Sequence, residues 1–303
     1  YDVFPKIKAF GCCHEVFHTQ EFLCRVLEKE KGIKASRRDI STDVAGINHF
    51  TWISKASYQN IDLLKLLDKF ILEYGEAGYN ERGDADAFLK DPFQYANLVK
   101  MDLYRRYQAL GAAGDRHLVE FMNPNWYLRD EETIKRFKFA RTSVAYRIEK
   151  RERRLLELEA ISSGRKEPDL KASNEEAVAM IKALLGLGTL VTNVNLPNRG
   201  QMPGYPLGTI VETSAVFGND RVVPVVAGEL PKQVKSMLLT HMYNLETVYE
   251  GIKNRDLHQI FTAFMHDPLC SNLSFEEAKT LFKKMTDNTK YYLEPYFDLT
   301  SFK

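Results

Sequence analysis

The sequence predicts a mixed α and β domain, α/β in class with α+β character, and three observations carry that prediction. Apolar residues recur at helical spacing in several blocks. Runs of β-branched and aromatic residues bounded by glycine lie between them, and two Ser-x-x-Glu patterns mark helix starts. With 303 residues, 44% apolar and 27% charged, the chain is long enough to bury a sizeable core in one large domain or two.

Residues 7–12 read as a short strand. Residues 15–31 then place Val16, Phe22, Leu23, Val26 and Leu27 on one helical face, with Gly32 as the stop. Residues 39–57 read as two short strands with a bend at Gly46, and 61–74 as a strong helix. A Gly- and Asp-rich loop over 75–91 leads to a helix over 93–110. The highly charged stretch 130–161 holds one or two helices, and 162–171 is a surface segment. Its basic run from Arg147 to Arg154, interleaved with Glu149 and Glu152, reads as a solvated face. Ser173 with Glu176 and Ser274 with Glu277 are capping-box patterns, the first opening an apolar helix that ends at Gly186 or Gly188, the second a helix running toward Asn288. Strands over 189–195, 209–217 and 221–226 precede helices over 231–251 and 256–266.

A net charge of +1 gives no electrostatic case for nucleic acid or an anionic membrane, which turns the reading toward a small ligand. No apolar run reaches the ~18 residues needed to span a bilayer. Four cysteines are too few for a disulfide framework, so a reducing cytoplasm is expected. A chain that opens at Tyr1 on a strand expected to have neighbours upstream is read as a fragment. No Gly-x-Gly-x-x-Gly fingerprint is present.

Two turns carry chemistry. Gly11-Cys12-Cys13-His14-Glu15 puts thiols and an imidazole between a strand end and a helix start, and Gly46-Ile47-Asn48-His49-Phe50 puts a second imidazole at a bend. One Cys and one His are half a metal site, and residue types alone favour a buried cysteine and a satisfied core histidine. Asn193, Asn195, Asn198 and Gln201 cluster near Gly200, as amide donors and acceptors for a ligand or as turn residues. His18, one turn beyond His14, orients it or packs.

The blocks Gly-Cys-Cys-His-Glu at 11–15, Ala-Gly-Ile-Asn-His at 45–49, Leu-Tyr-Arg-Arg-Tyr at 103–107 and Gly-Asp-Arg-His-Leu at 114–118 resemble family 4 glycoside hydrolases. So do Asn-Val-Asn-Leu-Pro-Asn-Arg-Gly-Gln at 193–201, Val-Glu-Thr at 211–213 and Asp-Pro-Leu at 267–269. They follow the family's order across nearly the whole chain, and residues 114–128 are most similar to its α-galacturonidase branch. The resemblance implies a catalytic domain of the lactate dehydrogenase and family 4 glycosidase type. Residues 1–14 would be the last strand of an otherwise missing Rossmann domain with the metal turn, and 15–303 the substrate, metal and oligomerisation domain.

It also implies NAD and a divalent metal, Mn2+, as cofactors. In the family NAD takes hydride from C3 of the sugar, a side chain removes the C2 proton, the leaving group departs, water adds and the hydride returns. By motif position the metal ligands fall on Cys13 and His49, with substrate oxygens and water completing the shell. His14 stands where some members carry an acidic Asp. The region of the base offers Tyr107, Asp115 and His117, with Asp115 favoured, although an Asp after Gly114 also suits a turn. Arg116 matches a uronate carboxylate, and Asn48, His117 and Asn195 complete the expected sugar contacts. The expected partners are a small carbohydrate and further copies of the chain, as homodimer or homotetramer. Two other readings stay open: a hydroxyacid dehydrogenase, which needs a His and Asp relay and no metal thiolate, and a non-catalytic carbohydrate-binding remnant. Truncation, a split enzyme or a decayed scaffold would each explain the absent NAD fold.

Overall fold

The computed structural model describes residues 1–170 and 176–300. After an irregular opening, α1 (Glu15–Lys31) spans the predicted range and buries Val16, Phe22, Leu23, Val26 and Leu27. Each such burial contributes about 1.5–3 kcal/mol. Gly32 ends the helix in the left-handed region at φ 69°, its N–H donating to the Glu28 carbonyl at 2.8 Å.

β1 (Ser41–Ile47) and β2 (Phe50–Tyr58) form an antiparallel hairpin whose two-residue turn is Asn48-His49, with His49 at φ 64°. The bend predicted at Gly46 is therefore displaced by two residues. Gly46 lies inside β1, where a Cβ would come within 2.5 Å of the Phe50 carbonyl oxygen and 2.6 Å of the Thr51 Cα. The glycine serves a close backbone approach rather than a turn. β3 (Ile61–Asp62) ends on the residue that caps α2 (Leu63–Tyr74), Asp62 accepting from the Leu64 and Lys65 amides.

The helix predicted over 93–110 is shorter. α3 (Leu98–Tyr107) begins after Asn97 and ends at Gln108, both left-handed, and β4 (Leu110–Gly111) follows. Short helices α4 (Asp115–Leu118), α5 (Pro124–Tyr127) and α6 (Glu131–Arg136) lead to α7 (Val144–Ser162), which buries no residue, in keeping with its charged sequence. Beyond α8 (Ala177–Leu184) come β5 (Leu190–Pro197), β6 (Ile210–Gly218) and β7 (Arg221–Pro224). Helices α9 (Lys232–Asn254), α10 (Leu257–His266), α11 (Phe275–Asn288) and α12 (Lys290–Leu293) close the chain. The Ser274 and Glu277 capping box is present at α11, whereas Ser173 lies outside the described residues. Among the described residues no helix is long and apolar enough to cross a membrane.

The strands form one antiparallel sheet in the order β3-β2-β1-β6-β5, with β4 on β2 and β7 on β6. Alternation divides its faces. Val44 and Ile53 join a core with α1 and α2, while Ala45, Ile47, Phe50 and Trp52 join a second core with α9 and the segment after α3. The strand expected over 7–12 does not form. Gly11 makes a single bridge to Asn195, through the Gly11 N–H to the Asn195 carbonyl at 3.0 Å and the Asn195 N–H to the Gly11 carbonyl at 2.8 Å. A strand needs a run of paired backbone groups, and here one residue has them.

One acid fixes α3. Asp115, fully buried, accepts from the Val99 amide at 3.2 Å and the Lys100 amide at 3.0 Å. These are amides of the first helical turn, which need partners from outside the helix. Asp115→Ala is expected to destabilise the fold by about 1–3 kcal/mol, read as a lowered urea midpoint with unchanged slope. Gly46→Ala is expected to cost more than about 2 kcal/mol, because the new methyl group must move backbone, and the same urea titration measures it.

Candidate active site

Glu15 gathers the site. It opens α1, and its side chain reaches the segment between β4 and α4, where Oε2 accepts from the Gly114 amide at 2.8 Å. Gly114 also lets the Tyr95 ring pack against the same segment, since a Cβ there would lie 2.8 Å from that ring. Oε1 of Glu15 lies 3.7 Å from His14 Nε2 and 3.8 Å from His117 Nε2. The His117 ring packs on His49 at 4.4 Å between centroids, and His14 packs on His18 at 4.9 Å. The turn after Cys13, the start of α1, the β1–β2 turn and α4 thus meet at one place.

The electrostatics follow from this packing. Burial pushes the Glu15 carboxyl up, but the Gly114 amide and the imidazoles of His117, His18 and His49 outweigh it and hold the group below the usual carboxylate range. Burial lowers His49, and neighbouring His117 lowers it further. Burial likewise lowers His18. Neutral imidazole is the form that binds a metal ion. Among the described residues, the ligand atoms of His14, Glu15 and His18 lie within 4.8 Å of one another. Cys13 is half-buried, and none of the four cysteines is in a disulfide.

The expected site residues separate into two groups. His14, His49 and His117 come together around Glu15, and Asn48 joins them through the β1–β2 turn. Asn195 reaches Asn48, its Nδ2 lying 3.5 Å from Oδ1, and bridges Gly11 two residues before Cys13. Arg116 lies over the Phe93 ring and lines a cavity of about 250 Å³ with His117, Glu120, Arg141 and Arg147.

Asp115 and Tyr107 stand apart from the imidazoles. Both carboxylate oxygens of Asp115 are engaged by α3, and burial, opposed by Lys100 and the two amides, pushes it up to about 6. Tyr107 packs edge-on against Trp52 at 5.9 Å in the second core. A position in a motif does not state which way a side chain turns: Asp115 turns to the first turn of α3 and Tyr107 to Trp52 on β2.

Three residues escaped the sequence reading. Glu15 was visible as a first-turn acid beside His14. Lys100 is buried, donates to Thr19 Oγ1 at 3.1 Å and has its pKa lowered by burial, and nothing in its helical pattern signals this. Glu212 is 1% exposed in β6, where Thr51 Oγ1 donates to its Oε2. An acid inside a predicted strand was the available signal.

Residues 44–270 match the family 4 glycosyl hydrolase C-terminal domain. An α-galacturonidase of Thermoanaerobacter italicus is 46% identical over 294 residues, 97% of this chain and 64% of that protein. An α-galacturonidase of Bacillus subtilis is 44% identical over 286 residues, 94% of this chain and 63% of that protein. The crystal structure of lplD from Bacillus subtilis, described as a glucosidase, superposes with a TM-score of 0.87 at 43% identity, covering 94% of this chain and 64% of that one. A 6-phospho-α-glucosidase from gut microorganisms, in complex with NAD and Mn2+, shares the fold at a TM-score of 0.66 and 17% identity, covering 93% of this chain and 60% of that one. The chain therefore spans less than two thirds of the length of these relatives. On the family match and these identities, the chain belongs to glycosyl hydrolase family 4, of which residues 44–270 form the C-terminal domain.

Proposed function

We propose that this chain is the metal- and sugar-binding part of a glycosidase acting on α-galacturonides. The observation that carries the reading is the convergence of His14, His49 and His117 on Glu15, beside the turn that holds Cys13. Relatives named as α-galacturonidases at 42–46% identity support the substrate class. The cavity flanked by Arg116, Arg141 and Arg147 supports it independently, because guanidinium groups match a uronate carboxylate.

The residues present fit a divalent cation such as Mn2+. A half-buried thiol and an imidazole held in its neutral form are suitable donors, and Cys13 and His49 would hold the ion. When bound, it would stabilise negative charge on a sugar oxygen as C2 loses its proton. A competing donor set is favoured by the close approach of His14, Glu15 and His18. The sequence has no Gly-x-Gly-x-x-Gly turn, so the NAD surface is proposed to lie outside these 303 residues.

The chain's own groups divide the proton work. In this reading His14, with its side chain 41% exposed, protonates a leaving oxygen, and His117, between Glu15 and His49, accepts a proton from the sugar. Asp115, with its oxygens committed to α3, positions the segment that carries His117. It is not aligned as the carboxylate of a hydroxyacid dehydrogenase relay. Assembly of several copies is also proposed, and the exposed Ile148, Leu155 and Leu158 on α7 support it.

Cys13→Ala and His49→Ala are each expected to weaken Mn2+ binding more than roughly 100-fold, beyond the loss caused by removing a supporting residue. His18→Ala should stay within roughly tenfold of the parent. Electron paramagnetic resonance of unbound Mn2+ measures all three, and a larger loss in His18→Ala would move the ion to the competing set. Arg116→Ala should weaken galacturonate binding about 10- to 100-fold while leaving galactose binding unchanged, as read by calorimetry. Equal losses for both sugars would remove the carboxylate role.

A further inference from the structure

One row of opposed positions crosses the sheet beneath the site. Gly11 bridges Asn195, Asn195 faces Glu212, Glu212 faces Gly46, and Gly46 faces Thr51. Directly opposed residues project to the same side of a sheet with side chains in reach of one another. The side chains of this row are therefore Asn195, Glu212 and Thr51, which are 8%, 1% and 0% exposed. Thr51 Oγ1 lies within hydrogen-bond reach of both Glu212 Oε2 and the Ile47 carbonyl oxygen, the latter at 3.0 Å, and Asn195 Nδ2 lies 3.5 Å from Asn48 Oδ1. Oε1 of Glu212 and Oδ1 of Asn195 have no hydrogen-bond partner among the described residues.

Two buried acceptors without a donor, on directly opposed residues of the sheet, are unfavourable, and native interiors rarely leave such atoms unpaired. A single proton between them satisfies both. Only the carboxyl can carry it, because an amide oxygen is an acceptor alone. We propose that Glu212 is a positioning residue: its carboxyl, steadied by Thr51, donates a proton from Oε1 to Asn195 Oδ1, locking that amide with its N–H edge toward Asn48 and a sugar hydroxyl bound there. This rests on the reading of the site as a sugar site.

The environment of Glu212 agrees with a carboxyl that keeps its proton. Burial pushes it up to about 7, against the pull of the Thr51 hydroxyl and with a further push from the Glu15 carboxylate. Its folded value lies above its unfolded one. The stability it contributes is therefore complete below the ordinary carboxylate range and is lost as pH rises through about 7. Glu15 is the charged group on α1 whose field reaches it, and His14, His18, His49 and His117 surround Glu15. Variants must accordingly be compared at each pH.

The test is calorimetric titration of D-galacturonate into the full chain at about pH 6 and about pH 8, on either side of the Glu212 transition. Binding to the parent should weaken about tenfold at the higher pH. Glu212→Gln, whose amide donates at any pH, should bind as tightly as the parent at the lower pH and equally at both. Glu212→Leu should be about tenfold weaker at both. Circular dichroism melting at each pH confirms folding, and if Glu212→Leu does not fold, Glu212→Gln alone decides. A purely structural role for Glu212 would move the melting temperature and leave the pH dependence of binding in place. A Glu212→Gln protein that retains the parent's pH dependence, or binds more weakly than the parent at both values, overturns the proposal while leaving the sugar site standing. A parent chain that binds no galacturonate at either pH overturns the sugar reading and this inference with it.

Discussion

The site depends on one short hydrogen-bonded link, from the Gly114 amide to the carboxylate of Glu15. Glu15 sits where α1 begins, so its position is set by the helix and by Val16, Phe22 and Leu23 beneath it. Gly114 sits where β4 gives way to α4, a segment held by the Asp115 cap on α3. Joining the two brings elements 99 residues apart in sequence into register at a single carboxylate. The same carboxylate supplies the negative charge around which the imidazoles collect, so one group does both structural and electrostatic work.

Around that link the interior holds more charge than a core of this size needs for packing. Glu15, Lys100, Asp115 and Glu212 are all largely buried; burial pushes each toward its neutral form and prevails in Lys100, Asp115 and Glu212, while the amide and imidazoles around Glu15 outweigh it there. Each is retained by specific bonds: Asp115 to two amides, Lys100 to Thr19, and Glu212 to Thr51. Concentrating them at one end of the sheet costs stability, which the two apolar cores on either face offset. His49 adds backbone strain at the same place, as a bulky side chain at positive φ.

Most elements were legible in the sequence because their periodicities are strong. α1 was read to the residue, and β1, β2, β5 and β6 were found within a few positions. What failed was set by tertiary geometry. The segment 7–12 has strand composition but one bridged residue, Gly46 marks a close approach rather than a bend, and the start of α3 is fixed by Asn97 and an acid from another element. In the site, motif order located His14, His49, His117, Asn48 and Asn195, which the structure gathers. Glu15 and Glu212 lie within the blocks at 11–15 and 211–213, which assigned them no role, because their roles arise from facing positions on separate elements. Asp115 and Tyr107 lie in the right motifs and point elsewhere.

The central claim, that Glu15 ties α1 to the segment carrying His117, is tested most directly by amide hydrogen exchange over residues 110–121 in the parent and in Glu15→Ala. Loss of the carboxylate is expected to raise exchange at Gly114 and along α4, while α9 and the far end of the sheet keep the parent's protection. Unchanged protection at Gly114 would contradict the account and would mean that the site is held together by something else.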